Sequence, residues 1–161
     1  MMRPIYIITL LIVISCNKPE PTDKEIEKAF QEVNNETLWK ELEDMVYSDQ
    51  YYRGTMSGLD RDAEDYHRKR DSLEKISIQN DHRNTRRIIE ITKKYGLPNP
   101  QRTGKPIGAW LLLHHAPVEY HEQIKPLIDR EFKAKRVDSN TYRLLKWHVN
   151  GRIGLLEETE L

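Results

Sequence analysis

The sequence predicts an all-α fold: a small irregular bundle of about five or six helices that follows an N-terminal leader. Apolar residues recur at intervals of three and four along most of the chain, which is the period of one helix face. Glycine and proline interrupt these stretches where helices are expected to end. We find no alternating run long enough for a strand and no internal repeat.

The first predicted helices lie between residues 22 and 58. Thr22 and Glu25 have the spacing of a capping box, so we expect a helix to begin there. The apolar stripe of this segment consists of Ile26, Ala29, Phe30, Val33, Leu38, Leu42, Met45 and Val46. Asn34-Asn35 is expected to interrupt it, and Gly54 and Gly58 are expected to flank a loop.

The middle of the chain, residues 60–95, is strongly charged and carries only a thin apolar stripe. The stripe consists of Tyr66, Leu73, Ile76, Ile88 and Ile91. Gly96, followed by two prolines, is a typical helix stop. We therefore expect one long, largely solvated helix here.

Three further helices are expected after Gly96. Residues 105–115 are the most apolar part of the chain and predict a buried helix, with Pro117 at its end or at the start of the next one. The following amphipathic stripe consists of Tyr120, Ile124, Leu127, Ile128 and Phe132. Ser139 is expected to cap a last helix that carries Tyr142, Leu144, Leu145 and Trp147 and ends at Gly151.

The leader has the features of a secretory signal. Arg3 precedes an apolar stretch, residues 5–14, that is shorter than the roughly 20 residues needed to span a bilayer. The single cysteine, Cys16, follows the apolar stretch directly, with Ser15 before it. This arrangement resembles the lipobox of bacterial lipoproteins, although Val13 and Ile14 differ from its commonest form.

The resemblance implies that the Cys16 thiol receives a diacylglycerol, that cleavage falls before Cys16, and that the new amine is acylated, for instance by palmitate. Several acyl chains anchor a protein where one would not, since each buried methylene contributes about 0.8 kcal/mol. We therefore predict a lipoprotein signal peptide at residues 1–15, an acylated Cys16 and tether at residues 16–22, and a single helical domain at residues 23–161. The expected location is the bacterial cell envelope (periplasm or cell surface), lipid-anchored to a membrane whose leaflet the sequence does not indicate.

The overall charge gives no reason to expect a nucleic-acid partner. Lys and Arg number 26, and Asp and Glu number 26. Removing residues 1–15 takes away Arg3 alone, which leaves a formal charge of 25 − 26 = −1. A nucleic-acid-binding domain usually carries a clear basic excess.

Three segments place polar residues where the helical stripe calls for apolar ones. Asp49 lies three and four residues after Val46 and Met45, which turns it toward the core, and Arg53 is one turn further on. Around residue 84, the stripe puts Asn80, Asn84 and Arg87 inward. His114 and His115 end the leucine-rich helix, and His121 and His148 follow.

Such breaks in pattern accompany either function or a structural polar network. A network that holds helices in register is the simpler interpretation of the Asp, Asn and Arg positions. A metal site is not expected, because adjacent histidines on a helix point about 100° apart. A hydrolase that uses His115 or His148 as its base remains an alternative, although no Ser or Cys nucleophile motif accompanies either residue.

The same segments resemble a bacterial family, domain of unknown function 6624. DQYYR (residues 49–53), DHRNTRRIIEITKKYGLP (81–98) and IGAWLLLHHA (107–116) follow the order of its motifs. The matching positions are Asp49, Gln50, Arg53, Asp81, Asn84, Arg87, Gly96, Pro98, Trp110 and His115. Pro117 departs from the family's Asp, and residues 144–154 lack its closing motif. The resemblance covers roughly residues 38–150 and implies no activity.

We therefore expect a non-enzymatic envelope lipoprotein that binds an unidentified envelope protein or a small polar ligand, without a cofactor or metal. The candidate ligand site or structural cluster consists of Asp49, Gln50, Arg53, Asp81, Asn84, Arg87 and His115, with His148 as a secondary candidate. The alternative is an envelope hydrolase in which Asp49 orients His115 and Arg53 or Arg87 holds an anionic group.

Overall fold

The computed structural model describes residues 20–33 and 35–153, and this part of the chain is all-α, as predicted. It contains seven α-helices and one 3-10 turn, so the expected five or six is slightly low. The helices are α1 (Asp23–Glu32), α2 (Asn35–Ser57), α3 (Tyr66–Tyr95), α4 (Pro100–Thr103), α5 (Trp110–His114), α6 (His121–Lys133) and α7 (Ser139–Val149), with the 3-10 turn at Val118–Tyr120. The leader and Cys16 lie outside the described residues, as does the end of the chain from residue 154.

Helix α1 begins at the predicted capping box. Thr22 Oγ1 accepts from the Glu25 amide, and Glu25 accepts from the Thr22 amide at 2.8 Å. The helix ends at Glu32 because Val33 is extended, with a ψ of 144°. The prediction that Gly54 begins a loop is wrong, since α2 continues through it to Ser57. A glycine inside a helix costs only about 1 kcal/mol, which the neighbouring turns of α2 offset.

Helix α3 runs along α2 in the antiparallel direction. Cross-helix contacts join residue 53 to 81, 45 to 84 and 41 to 87, so one number falls as the other rises. The predicted stripe of α3 is out of phase in its first half, because Ile76 is 39% exposed while Ser77 is buried. The helix ends as predicted at Gly96, whose φ of 74° and ψ of 166° suit glycine.

The apolar segment at residues 105–115 is helical only over α5. Pro106 and Gly108 disfavour an earlier start, and Ile107 is buried in an irregular backbone instead. At α7 the N-cap is Asp138 rather than Ser139, and its carboxylate accepts from the Thr141 amide at 2.9 Å. Both differences are shifts at helix ends, where sequence patterns are least precise.

One apolar core joins the helices. Helix α2 packs on α3, α6 packs on α7, and α5 lies against α2, α3 and α7. The most deeply buried apolar side chains are Ile26, Leu42, Ile88, Ile91, Leu97, Leu112, Leu113, Ile124, Ile128 and Leu145. Within residues 20–33 and 35–153 no helix is both long and apolar enough to cross a membrane.

Candidate functional site

The centre of the site is a contact between Asp49 on α2 and His115, which follows the last turn of α5. Both carboxylate oxygens of Asp49 lie near His115 Nδ1, at 2.9 Å and 2.8 Å. The Asp49 side chain is 1% exposed and the His115 side chain 18% exposed. The periodicity of α2 turns Asp49 inward. The end of the short helix α5 places His115, which is 66 positions later in the sequence, next to Asp49.

Three more predicted residues join this pair. Arg53, one turn after Asp49, places Nε 3.4 Å from Asp49 Oδ1 and Nη2 2.6 Å from Asp81 Oδ1. The Gln50 side-chain amide donates to Asp49 Oδ2 at 2.5 Å. Helices α2, α3 and α5 therefore meet at a chain of polar contacts that runs from His115 through Asp49 and Arg53 to Asp81. We call these four residues and Gln50 the Asp49–His115 cluster.

The cluster affects the two carboxyl groups in opposite directions. Burial raises the pKa of Asp49, but the hydrogen bond from His115, together with Arg53 and Gln50, outweighs it and holds that pKa below its ordinary value. Burial also raises the pKa of Asp81, and the nearby Asp49 carboxylate adds to the rise, so Arg53 does not fully compensate. Asp49 is therefore the ionised partner of His115, whereas Asp81 lacks sufficient positive charge.

The other two predicted members lie elsewhere. Asn84 is 2% exposed and donates to the Met45 carbonyl at 3.2 Å, one turn before Asp49 on α2. Its Oδ1 has no hydrogen-bond partner among the described residues. Arg87 is 42% exposed and binds Glu41 and Glu90, with Nη2 2.9 Å from Glu41 Oε2. Glu41 precedes Asp49 by eight residues, or about 12 Å along a helix, so Arg87 belongs to a separate ion pair.

Two other histidines, His121 and His148, contact the carbonyl of Ala116, directly after His115. His148 Nε2 lies 3.0 Å and His121 Nε2 3.2 Å from this oxygen. Arg152 Nε donates to His148 Nδ1 at 3.2 Å, so the neutral His148 carries its proton on Nε2. His148, the secondary candidate, thus helps to fix the turn that positions His115 and has no contact with Asp49 among those described.

Both His148 and His114 are disfavoured as cations. Burial lowers the pKa of His148 to about 4, and the charges of His121, Arg152 and His114 add to this. Burial also lowers the pKa of His114, whose Nδ1 has no hydrogen-bond partner among residues 20–33 and 35–153. Because His148 stays neutral at physiological pH and is hydrogen-bonded at both ring nitrogens, it suits a structural role.

A second buried polar network was missing from the sequence interpretation. Glu131 on α6 is completely buried and accepts from the Leu97 amide at 2.7 Å and from Arg136 Nε at 2.6 Å. Arg130 Nε also donates to it, at 2.8 Å, and Arg136 continues to Asp23 on α1 at 2.8 Å. This network ties α1 and α6 to the turn after α3.

The stripe of α6 contained a signal for this network. Ile124, Leu127 and Ile128 place residue 131 on the same helix face, so Glu131 is inward and Phe132 is not. Phe132 is in fact 38% exposed and stacks on Tyr142, with ring centroids 4.1 Å apart. The prediction that Phe132 belongs to the inward stripe is therefore wrong, and Glu131 takes that position.

Three cavities lie elsewhere in the described part of the chain, and none of them is lined by Asp49 or His115. A cleft of about 680 Å³ is lined by residues of α2 and by Arg83, and not by Asp49 or His115. Smaller cavities of about 190 Å³ and 260 Å³ lie beside Trp110 and beside Tyr47. No group of three or more His, Cys, Asp or Glu residues within the described ranges is arranged to hold a metal ion.

Comparison with known proteins identifies no relative. No family model matches the sequence, and neither the curated proteins nor the solved structures contain a match. The lipobox and the motifs shared with domain of unknown function 6624 therefore remain predictions from the sequence.

Proposed function

We propose that this chain is an envelope lipoprotein whose helical domain binds a small polar ligand at the Asp49–His115 cluster. The observation that carries the proposal is convergence: five residues from α2, α3 and α5 form one connected set of contacts. Buried charges are costly unless they are paired, so a connected set is compatible with either a binding site or a structural network. The partial exposure of His115 and Arg53, at 18% and 32%, favours binding.

The anchor and the binding site require separate tests. Lipid attachment is tested by expressing the full chain with radiolabelled palmitate and comparing it with a Cys16→Ser variant. We expect label and membrane fractionation for the parent chain and neither for the variant. Equal labelling of both proteins would contradict the lipoprotein assignment.

The binding site is tested by recording the His115 ring resonances of the full chain during titration with a set of small polar compounds. Saturable shifts at His115 are expected, and they should weaken in Asp49→Asn, which removes the carboxylate that holds His115 Nδ1. They should persist in Arg87→Gln, whose side chain lies in the separate Glu41–Glu90 ion pair. If no compound shifts His115, or if both variants respond alike, the cluster is a structural network.

A hydrolase remains the second candidate because of one specific observation. An ionised carboxylate on Nδ1 of a histidine fixes the ring and leaves Nε2 as a general base, as in hydrolytic triads. The described contacts include no Ser or Cys hydroxyl or thiol at His115, so water would have to be the nucleophile. We would assay ester and amide hydrolysis; turnover that survives His115→Gln would exclude this role.

A further inference from the structure

The charge of Arg53 is already matched within the cluster. Its guanidinium lies between two carboxylates, with Nη2 at 2.6 Å from Asp81 and Nε at 3.4 Å from Asp49. The cluster thus contains two acids and one fixed cation. An arginine that is shared in this way has little remaining attraction for an anionic ligand, because the ligand would meet two negative charges beside it.

The hydrogen bond to Asp49 also determines what His115 can offer. Although Asp49 is buried, its pKa lies below the ordinary value, so its carboxylate is ionised. An ionised carboxylate can only accept hydrogen bonds. Nδ1 of His115, at 2.8 Å and 2.9 Å from the two oxygens, must therefore carry the proton. In a ring that carries this proton alone, Nε2 is an acceptor, and it has no hydrogen-bond partner within the described part of the chain.

Asp81 supplies a second acceptor in the same cluster. Only Oδ1 of Asp81 is bound by Arg53, and the side chain is 13% exposed. Arg53 joins Asp81 to Asp49, the partner of His115, so the two acceptors belong to one set of contacts. The raised pKa of Asp81, caused by burial and by Asp49, indicates a local shortage of positive charge that a cationic donor would relieve.

From these observations we infer that the ligand is a hydrogen-bond donor, a hydroxyl or ammonium compound, that presents O–H or N–H to His115 Nε2 and Asp81. This inference depends on the proposed function, since it names the ligand class of the same site. It predicts that phosphates and carboxylates do not bind, and in this respect it differs from the alternative in which Arg53 or Arg87 holds an anionic group.

The test is a titration of the full chain at pH 8, followed by the ring nitrogen resonances of His115. Ethanolamine, which carries both a hydroxyl and an ammonium group, is compared with inorganic phosphate. We expect ethanolamine to shift Nε2 in a saturable way while phosphate has no effect. The free protein should show the acceptor pattern at Nε2 and the protonated pattern at Nδ1.

Asp81→Asn supplies the decisive variant, because it keeps the shape of the side chain and removes one charge. We expect it to weaken ethanolamine binding about fivefold, in line with the loss of one partly exposed ion pair. Asp71→Asn, a matched change at an exposed position of the same helix, should leave binding unchanged.

The possible failures are distinct. Saturable binding of phosphate without ethanolamine would overturn the ligand class and leave a binding site in place. A proton on Nε2 in the free protein, or equal effects of the two aspartate variants, would also overturn the ligand class. If neither probe shifts His115, the ligand class and the binding function fail together.

Discussion

Replacing Glu131 by glutamine should cost this protein a large part of its stability. The substitution keeps the size of a completely buried side chain but removes its charge. It also replaces one acceptor oxygen by an NH2 group that cannot accept a hydrogen bond. The groups that now donate to Glu131 are the Leu97 amide at 2.7 Å, Arg136 Nε at 2.6 Å and Arg130 Nε at 2.8 Å. Removing one partner of a buried ion pair typically costs about 3–5 kcal/mol.

This cost is measurable by thermal or urea unfolding. For a domain of this size, 1 kcal/mol corresponds to about 2–4 °C, so Glu131→Gln should lower Tm by roughly 10 °C. The matched control is Glu122→Gln on the same helix, where the side chain is 85% exposed and binds Lys125; no measurable change is expected. If Glu131→Gln unfolds at the same temperature as Glu122→Gln, the buried network does not hold the helices together.

Two further predictions concern a glycine pair and a histidine. Gly96→Ala should destabilise the protein by at least about 2 kcal/mol in urea unfolding, since φ is 74° and the new Cβ would lie 2.8 Å from Arg136 Cδ. Gly54→Ala, where no atom lies within 4 Å of the new Cβ, should stabilise the protein by about 0.5–1 kcal/mol. The reverse order of stabilities would contradict the structure. Lowering the pH from 7 to 5 should cost about 2 kcal/mol through His148, because its folded pKa of about 4 lies below the unfolded value of about 6.5, and only the unfolded state gains the proton in that window. His148→Asn should reduce this pH dependence by the same amount, and a variant as pH-sensitive as the parent would refute the assignment.

Helical periodicity was sufficient to predict the fold class and most helices. The capping box at Thr22 and the stop at Gly96 appear in the structure as predicted, because each depends on a few neighbouring residues. The errors have both tertiary and local causes. Gly54 stays helical because α2 continues around it, and residues 105–109 remain irregular although their composition is apolar.

The same sequence patterns predict some of the residues of the candidate site. Asp49 and Arg53 follow from i, i+4 spacing, and Asp81 was named from its motif. Which neighbour each residue meets could not be predicted, because it depends on how α3 and α5 cross α2. Arg87 illustrates this limit: it shares a motif with Asp81 but lies beside Glu41, where it forms a separate ion pair.

The most direct test of the Asp49–His115 cluster is a double-mutant cycle on its central pair. Unfolding free energies are measured for the parent chain, Asp49→Asn, His115→Gln and the double variant. The contact at 2.8 Å predicts a coupling energy above about 1 kcal/mol, whereas His115→Gln combined with the distant His67→Gln should be additive within about 0.5 kcal/mol. Additivity of Asp49→Asn and His115→Gln would contradict the pairing on which the proposed site depends.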